Sequence, residues 1–137
     1  VPVVLDASFV LALVLDKTDD PAIQAAGQRI ARDGAIVPLH WHVEVANSVI
    51  SAERRRRISA EDVMLTFDDL RTFVVAVDGE GPARLWRETV VLAQSHRLTM
   101  YDAAYLELAM RRALPLASLD RELVAAARTS GVEVIAG

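Results

Sequence analysis

Apolar positions along the chain alternate between short β-branched runs and longer helical stripes. Val3-Val4-Leu5 is a buried-strand run that stops at Asp6, and Ala7 through Leu15 reads as a helix. The turn-like Lys17-Thr18-Asp19-Asp20-Pro21 precedes a helix over Ala22 to Arg32, with Pro21 suited to a first helical position and Gly34 closing it. Ile36-Val37-Pro38 is a small strand. Trp41 to Arg55 follows as a longer helix, with Val45, Val49 and Ala52 on one stripe and Glu44 in its first turns. Ser59-Ala60-Glu61-Asp62 resembles a capping box that opens a helix to about Arg71. Phe73 to Val77 is the clearest strand, and Asp78 to Pro82 is the turn after it. Helices are expected over Ala83 to Ser95 and from Thr99 to about Arg112, the second with Ala103, Leu106, Ala109 and Met110 inward. A strand over Leu116 to Leu119 ends at Asp120, Glu122 to Arg128 is a last helix, and Val132 to Ile135 is a last strand.

Strands alternating with helices imply right-handed crossovers and a mainly parallel sheet. The expected fold is therefore an α/β, three-layer α/β/α sandwich, a single domain over residues 1–137 with no linker or repeat. In such sheets ligands bind beyond the carboxyl ends of the strands. Asp6 and Asp120 stand at two of those ends.

Composition narrows the chemistry. The 137 residues contain no cysteine, which excludes disulfides, thiolate zinc sites and cysteine nucleophiles. The apolar run from Val1 to Leu15 is interrupted by Asp6, lacks a basic leader and is shorter than the ~20 residues of a bilayer span, so a cytoplasmic protein without a membrane anchor is expected. The chain opens on Val1 rather than Met, which leaves open that residues precede it. A formal net charge of −4 argues against coating nucleic acid by bulk electrostatics, but not against local phosphate contact. The strongest charge run is Arg54-Arg55-Arg56-Arg57. It reads either as cations complementing a helix C-terminus or as a phosphate-contacting patch, and the two are compatible.

Each candidate acid also has a plain structural reading. Asp6 and Asp120 could cap the helices that follow them, Asp102 lies three residues after Thr99 in a capping pattern, and Glu44 would favour the positive end of a helix dipole. Two features point further. Asp102 shares a helical stripe with Leu106, Ala109 and Ala113, which turns it toward the apolar side, and a buried acid needs a partner. Strand-end acids in a parallel sheet also converge on one edge. Two carboxylates about 4 Å apart repel by roughly 4 kcal/mol at an effective dielectric near 20, so a cluster must take up protons or a cation. An all-oxygen set is what Mg2+ or Mn2+ prefers, and such an ion could lower the pKa of its water and orient a phosphodiester. His40, His42 and His96 form no triad or metal spacing and are expected at the surface or as caps. Trp41 and Trp86 could each anchor an interface or fill the interior.

Four segments in this order resemble the PIN-domain family, and more narrowly its VapC-type toxins: Val4-Leu5-Asp6-Ala7-Ser8, Glu44-Val45-Ala46-Asn47, Tyr101-Asp102-Ala103-Ala104-Tyr105 and Ser118-Leu119-Asp120-Arg121-Glu122-Leu123. The resemblance spans nearly the whole chain. It implies an acidic metal site of Asp6, Glu44, Asp102 and Asp120, with Ser8, Asn47 and Ser118 as supporting groups and Arg54 to Arg57 near the RNA. Asp6, Asp102 and Asp120 would bind the ion directly, and Glu44 through water or by orienting the nucleophile. Ser118 stands where the family more often has Thr, and Glu122 where some members carry Asp, which bears on a second metal position. The resemblance further implies RNA hydrolysis by a metal-activated water, a homodimer and a small antitoxin partner. A mean hydropathy of +0.26 with 53% hydrophobic residues agrees with some apolar surface being covered, or simply with an Ala/Val/Leu-rich core. Rival readings are a housekeeping PIN nuclease for RNA processing, a phosphoacceptor domain, and a non-catalytic binding module whose acids are caps.

Overall fold

A computed structural model describes residues 1–135. Five short strands, β1 (Val3–Leu5), β2 (Ala35–Val37), β3 (Val75–Val77), β4 (Leu116–Ala117) and β5 (Val134–Ile135), form one parallel sheet in the order β3-β2-β1-β4-β5. The central strand β1 is wholly buried, and Val4 pairs with Ile36 on one side and Leu116 on the other. Such a strand is covered on both faces, which explains a continuous apolar run rather than an alternating one.

The helices α1 (Ala7–Val14), α2 (Pro21–Asp33), α3 (Trp41–Arg54) and α4 (Ala60–Leu70) pack on one another, and α5 (Val90–His96), α6 (Met100–Arg112) and α7 (Arg121–Thr129) make up a second set. This is the three-layer α/β/α sandwich expected. Local sequence signals operate as read. The Asp20 side chain accepts from the amides of Ala22 and Ile23 ahead of Pro21, Ser59 and Asp62 close a reciprocal capping box, and Gly34 ends α2 at φ 83°. Helix α6 is buried from Ala103 through Ala109, which makes it the core helix of its layer.

Several elements differ from expectation, each for a local reason. The strand expected over Phe73 to Val77 begins only at Val75, because the Phe73 amide donates to Leu70 O and closes the α4 turn. It is an edge strand with Val74 and Val77 exposed. The strand expected over Leu116 to Leu119 ends at Ala117, since the amides of Leu119 and Asp120 bond to serine hydroxyls instead of a neighbouring strand. The helix expected over Ala83 to Ser95 divides into a 3-10 turn at Gly81–Arg84, a π-helical turn at Leu85–Thr89 and α5. Met110, expected inward, is 42% exposed. Trp41 is buried and Trp86 is 91% exposed, so the two tryptophans take opposite roles.

The sheet order places a switch point between β1 and β4: the chain runs outward from β1 through β2 to β3 on one side and through β4 to β5 on the other. The crevice beyond those two strand ends is where ligands of such sheets bind.

Candidate active site

Asp6 follows the last residue of β1 directly and is 4% exposed. It occupies the N-cap position of α1 but makes no side-chain cap bond. Its Oδ2 instead accepts from Ser8 Oγ at 2.6 Å and from Ser118 Oγ at 2.7 Å. Each hydroxyl is oriented in turn by a backbone donor: the Leu119 amide donates to Ser8 Oγ and the Asp120 amide to Ser118 Oγ, both at 3.0 Å. The turn after β4 is thereby tied to the turn after β1 across the switch point. Burial raises the Asp6 carboxyl above its ordinary value; the two serine hydroxyls draw it down, and the charges of Glu44 and Asp120 push it up.

Asp120 acts as the cap it was read as, with Oδ1 accepting from the Leu123 amide at 3.0 Å. Asp102 sits in the first turn of α6, where its amide donates to Thr99 Oγ1. Its half-buried carboxyl is pushed up to about 6, first by burial and then by the charges of Asp120, Asp6 and Glu44, with Thr99 opposing. Glu44, in the first turn of α3, accepts from Tyr105 Oη at 2.6 Å through Oε1. Four acids from separate stretches of chain thus lie within one another's field.

The supporting residues fare differently. Ser8 and Ser118 bond to Asp6, whereas Asn47 is exposed on α3, beside Ser8 in a groove rather than bonded to an acid. Arg54 to Arg57 are all exposed at the end of α3, and Arg57 pairs with Asp16 at 3.1 Å.

Two participants escaped the sequence reading. Tyr105 is fully buried, and its hydroxyl lies between the backbone at Ala7 and the Glu44 carboxylate. Burial and the bond to Glu44 hold it protonated far above the usual phenol range. His40 is neither a surface residue nor a cap. It makes no side-chain cap bond, its half-buried ring meets Tyr105 edge-on at 5.1 Å and Tyr101 at 5.3 Å, and its Nε2 is buried without a partner. Burial lowers its pKa against the opposing pull of Asp6. A third, farther group is Arg111, which binds Glu107, Asp78 and Glu80 beside the π-helical turn. Glu107 four residues before Arg111, inside an apolar helix, was the available signal.

The donor set suits a hard divalent cation in kind and charge, being carboxylate oxygen throughout. The hydrogen bonds hold one oxygen each of Asp6, Glu44 and Asp120, and leave Asp6 Oδ1, Glu44 Oε2 and Asp120 Oδ2 for a ligand. Among the described residues, however, no group of three or more histidine or acidic side chains is closed tightly enough to hold an ion as it stands. Mutual repulsion opposes that closure, and a cation would relieve it.

Comparison with known proteins is consistent in every direction. A family model described as the PIN domain matches residues 3–129. The chain is 31% identical over 121 residues to Ribonuclease VapC3 of Pyrobaculum aerophilum, covering 88% of this chain and 90% of that protein. In fold it is similar to the crystal structure of PAE2754 from Pyrobaculum aerophilum, with a TM-score of 0.66 and 24% identity over 98% of this chain and 83% of that one. It is likewise similar to FitAcB from Neisseria gonorrhoeae, with a TM-score of 0.67 and 15% identity over 97% and 96%.

Proposed function

The chain belongs to the PIN-domain family, on its VapC-type side, and from that premise we propose that it is a Mg2+- or Mn2+-dependent endoribonuclease, the toxin of a toxin–antitoxin pair. The observation that carries the reading is that Asp6, Glu44, Asp102 and Asp120 lie in one another's field beyond β1 and β4, where burial and then the charges of the other three raise Asp102 to about 6. A divalent ion bound there would neutralise charge on the phosphodiester and acidify a water molecule.

The chain's own residues supply the rest. Ser8 and Ser118 fix the Asp6 carboxylate by Oδ2, and Tyr105 fixes Glu44 by Oε1, so both acids meet a ligand in set orientations. Burial of Asp6 and Tyr105 keeps water from competing on the inner side. Asp102 holds a proton below about pH 6 and loses it above, so activity should rise through that range as the donor set becomes fully anionic. The likeness to a ribonuclease, VapC3, supports RNA as the substrate class. A homodimer, a small antitoxin protein and a cytoplasmic setting belong to the same proposal. Among the described residues no helix is long and apolar enough to cross a membrane.

The test is cleavage of a broad transcript pool with Mn2+ or Mg2+ and with excess chelator. Cleavage should stop in chelator, and Asp6→Asn and Asp102→Asn should each lower it at least about a hundredfold while melting cooperatively, the size of loss seen when an electrostatic group at a reacting centre is removed. Undiminished metal-dependent cleavage by both variants would sink the assignment. Growth arrest on expression, relieved by a cognate small protein, separates a toxin from a housekeeping nuclease.

A further inference from the structure

A polar groove of about 450 Å³ lies between α1 and α3 and runs from Ser8 and Asn47 past Ser51 to Arg55 and Arg57, with Asp16 on its wall. Its inner end adjoins the candidate active site, because Ser8, one of its lining residues, donates its hydroxyl to Asp6. Two further cavities among the described residues have linings without any of the four acids. One of about 680 Å³ is mostly apolar and lies between Arg84, Val91 and Met110, and one of about 220 Å³ lies over Trp41 and Phe73.

We propose that this groove carries the single-stranded RNA leading away from the scissile phosphate, with Arg55 and Arg57, rather than the whole arginine run, gripping its backbone. This inference rests on the ribonuclease reading above. From Asn47 to Arg55 along α3 is about 12 Å at 1.5 Å per residue, enough for roughly three to four nucleotides at a stacked rise of 3.4 Å. The distribution of charge agrees. In a chain of net charge −4 with four acids at one end of the groove, the cations at its other end are where a phosphate is attracted.

The arginines of the run are not equivalent. Arg55 and Arg57 line the groove, while Arg54 and Arg56 do not. Arg56 takes a left-handed backbone conformation at φ 60°, which turns the chain so that Arg57 reaches back to Asp16. The Asp16–Arg57 pair is exposed and so exchanges readily for a phosphate. The Ser51 hydroxyl and the Asn47 amide can donate to phosphate and ribose oxygens, whereas Ser8 and Ser48 already give their protons to Asp6 and to the Glu44 carbonyl, and the lining has no aromatic ring on which a base could stack. Contact here is accordingly indifferent to base sequence.

Binding of a fluorescent single-stranded RNA in chelator, followed by anisotropy over a range of salt, tests this independently of cleavage. Arg55→Gln with Arg57→Gln, which keeps much of each stem, should weaken binding about tenfold and reduce the salt slope by roughly 1.4, at ~0.7 for each phosphate no longer neutralised. Asp16→Asn should strengthen binding. In cleavage assays the double variant should raise KM for a long RNA and leave kcat unchanged. Equal weakening by Arg54→Gln with Arg56→Gln, or an unaltered slope in the Arg55/Arg57 variant, would overturn the groove and leave only a diffuse cationic patch. RNA binding that follows this pattern without any metal-dependent cleavage would instead reject the nuclease reading and keep the groove.

Discussion

Tyr105 and Asp102 stand one helical turn apart on α6: a phenol held protonated by burial and by its acceptor Glu44, and a carboxyl hindered from ionising by burial and then by its acidic neighbours. The sign of the second effect gives a measurable outcome. Asp102 in the folded chain titrates near 6, above its ordinary 3.8, so the folded state keeps its proton longer than the unfolded chain does. Stability is therefore lost as pH rises from about 4 to about 6, and the whole penalty is present at neutral pH. Asp6, also raised, acts in the same direction. Asp102→Asn in chelator at pH 7 should raise the melting temperature by roughly 3 °C, equivalent to about 1 kcal/mol after discounting for solvent screening of a half-exposed group. At pH 4 thermal denaturation should show almost no gain. Asp6, Asp120 and Asp102 were legible in the sequence from strand-end and stripe positions, and Glu44 only through the family resemblance. Tyr105 and His40 were not: a buried aromatic on an apolar helix looks like core, and only the partner across space, Glu44, reveals what its hydroxyl does.

Among the elements, the segment Gly81–Thr89 departs most from a regular helix, and α6 holds it. Arg111 is the fastening: from α6 it binds Glu107 at 2.8 Å on its own helix, and Asp78 and Glu80 at the start of the segment. Asp78 and Glu107 are nearly inaccessible, and Arg111 is raised well above its ordinary value by its bonds to Glu107 and Asp78. Removing a single cation from such a cluster strands buried charges. Arg111→Ala should cost about 3 kcal/mol in chemical denaturation at pH 7. A loss below about 1 kcal/mol would mean that the acids find water instead. Element type and order were readable because the 2- and 3.6-residue periods differ sharply. Strand ends were less so: the amides of Leu119 and Asp120 could have continued β4, and what diverts them is the hydroxyls of Ser8 and Ser118, one of which is more than a hundred residues away in sequence.

For the whole molecule, the arrangement of the sheet decides whether a cation and the fold support each other. An ion that binds the folded chain and not the unfolded one stabilises it, by about 2.7 kcal/mol at a hundred times its dissociation constant. Mn2+ should raise the melting temperature by several degrees at pH 7, less at pH 5, where Asp102 retains its proton, and hardly at all in Asp6→Asn; calorimetry at the two pH values checks each part. The α/β class and layered architecture followed from alternation of strand and helix. The strand order β3-β2-β1-β4-β5 did not, because nothing in a two- or three-residue strand specifies its neighbour.

That order has a temporal side. Asp6 leaves the ribosome long before the turn that fixes it, Ser118 to Asp120, since 112 positions separate Asp6 from Ser118. No nascent or truncated chain ending before Leu116 can pair β4 with β1, so none can assemble the crevice of the candidate site. A site built this way stays incomplete throughout the synthesis of the long stretch between its two turns.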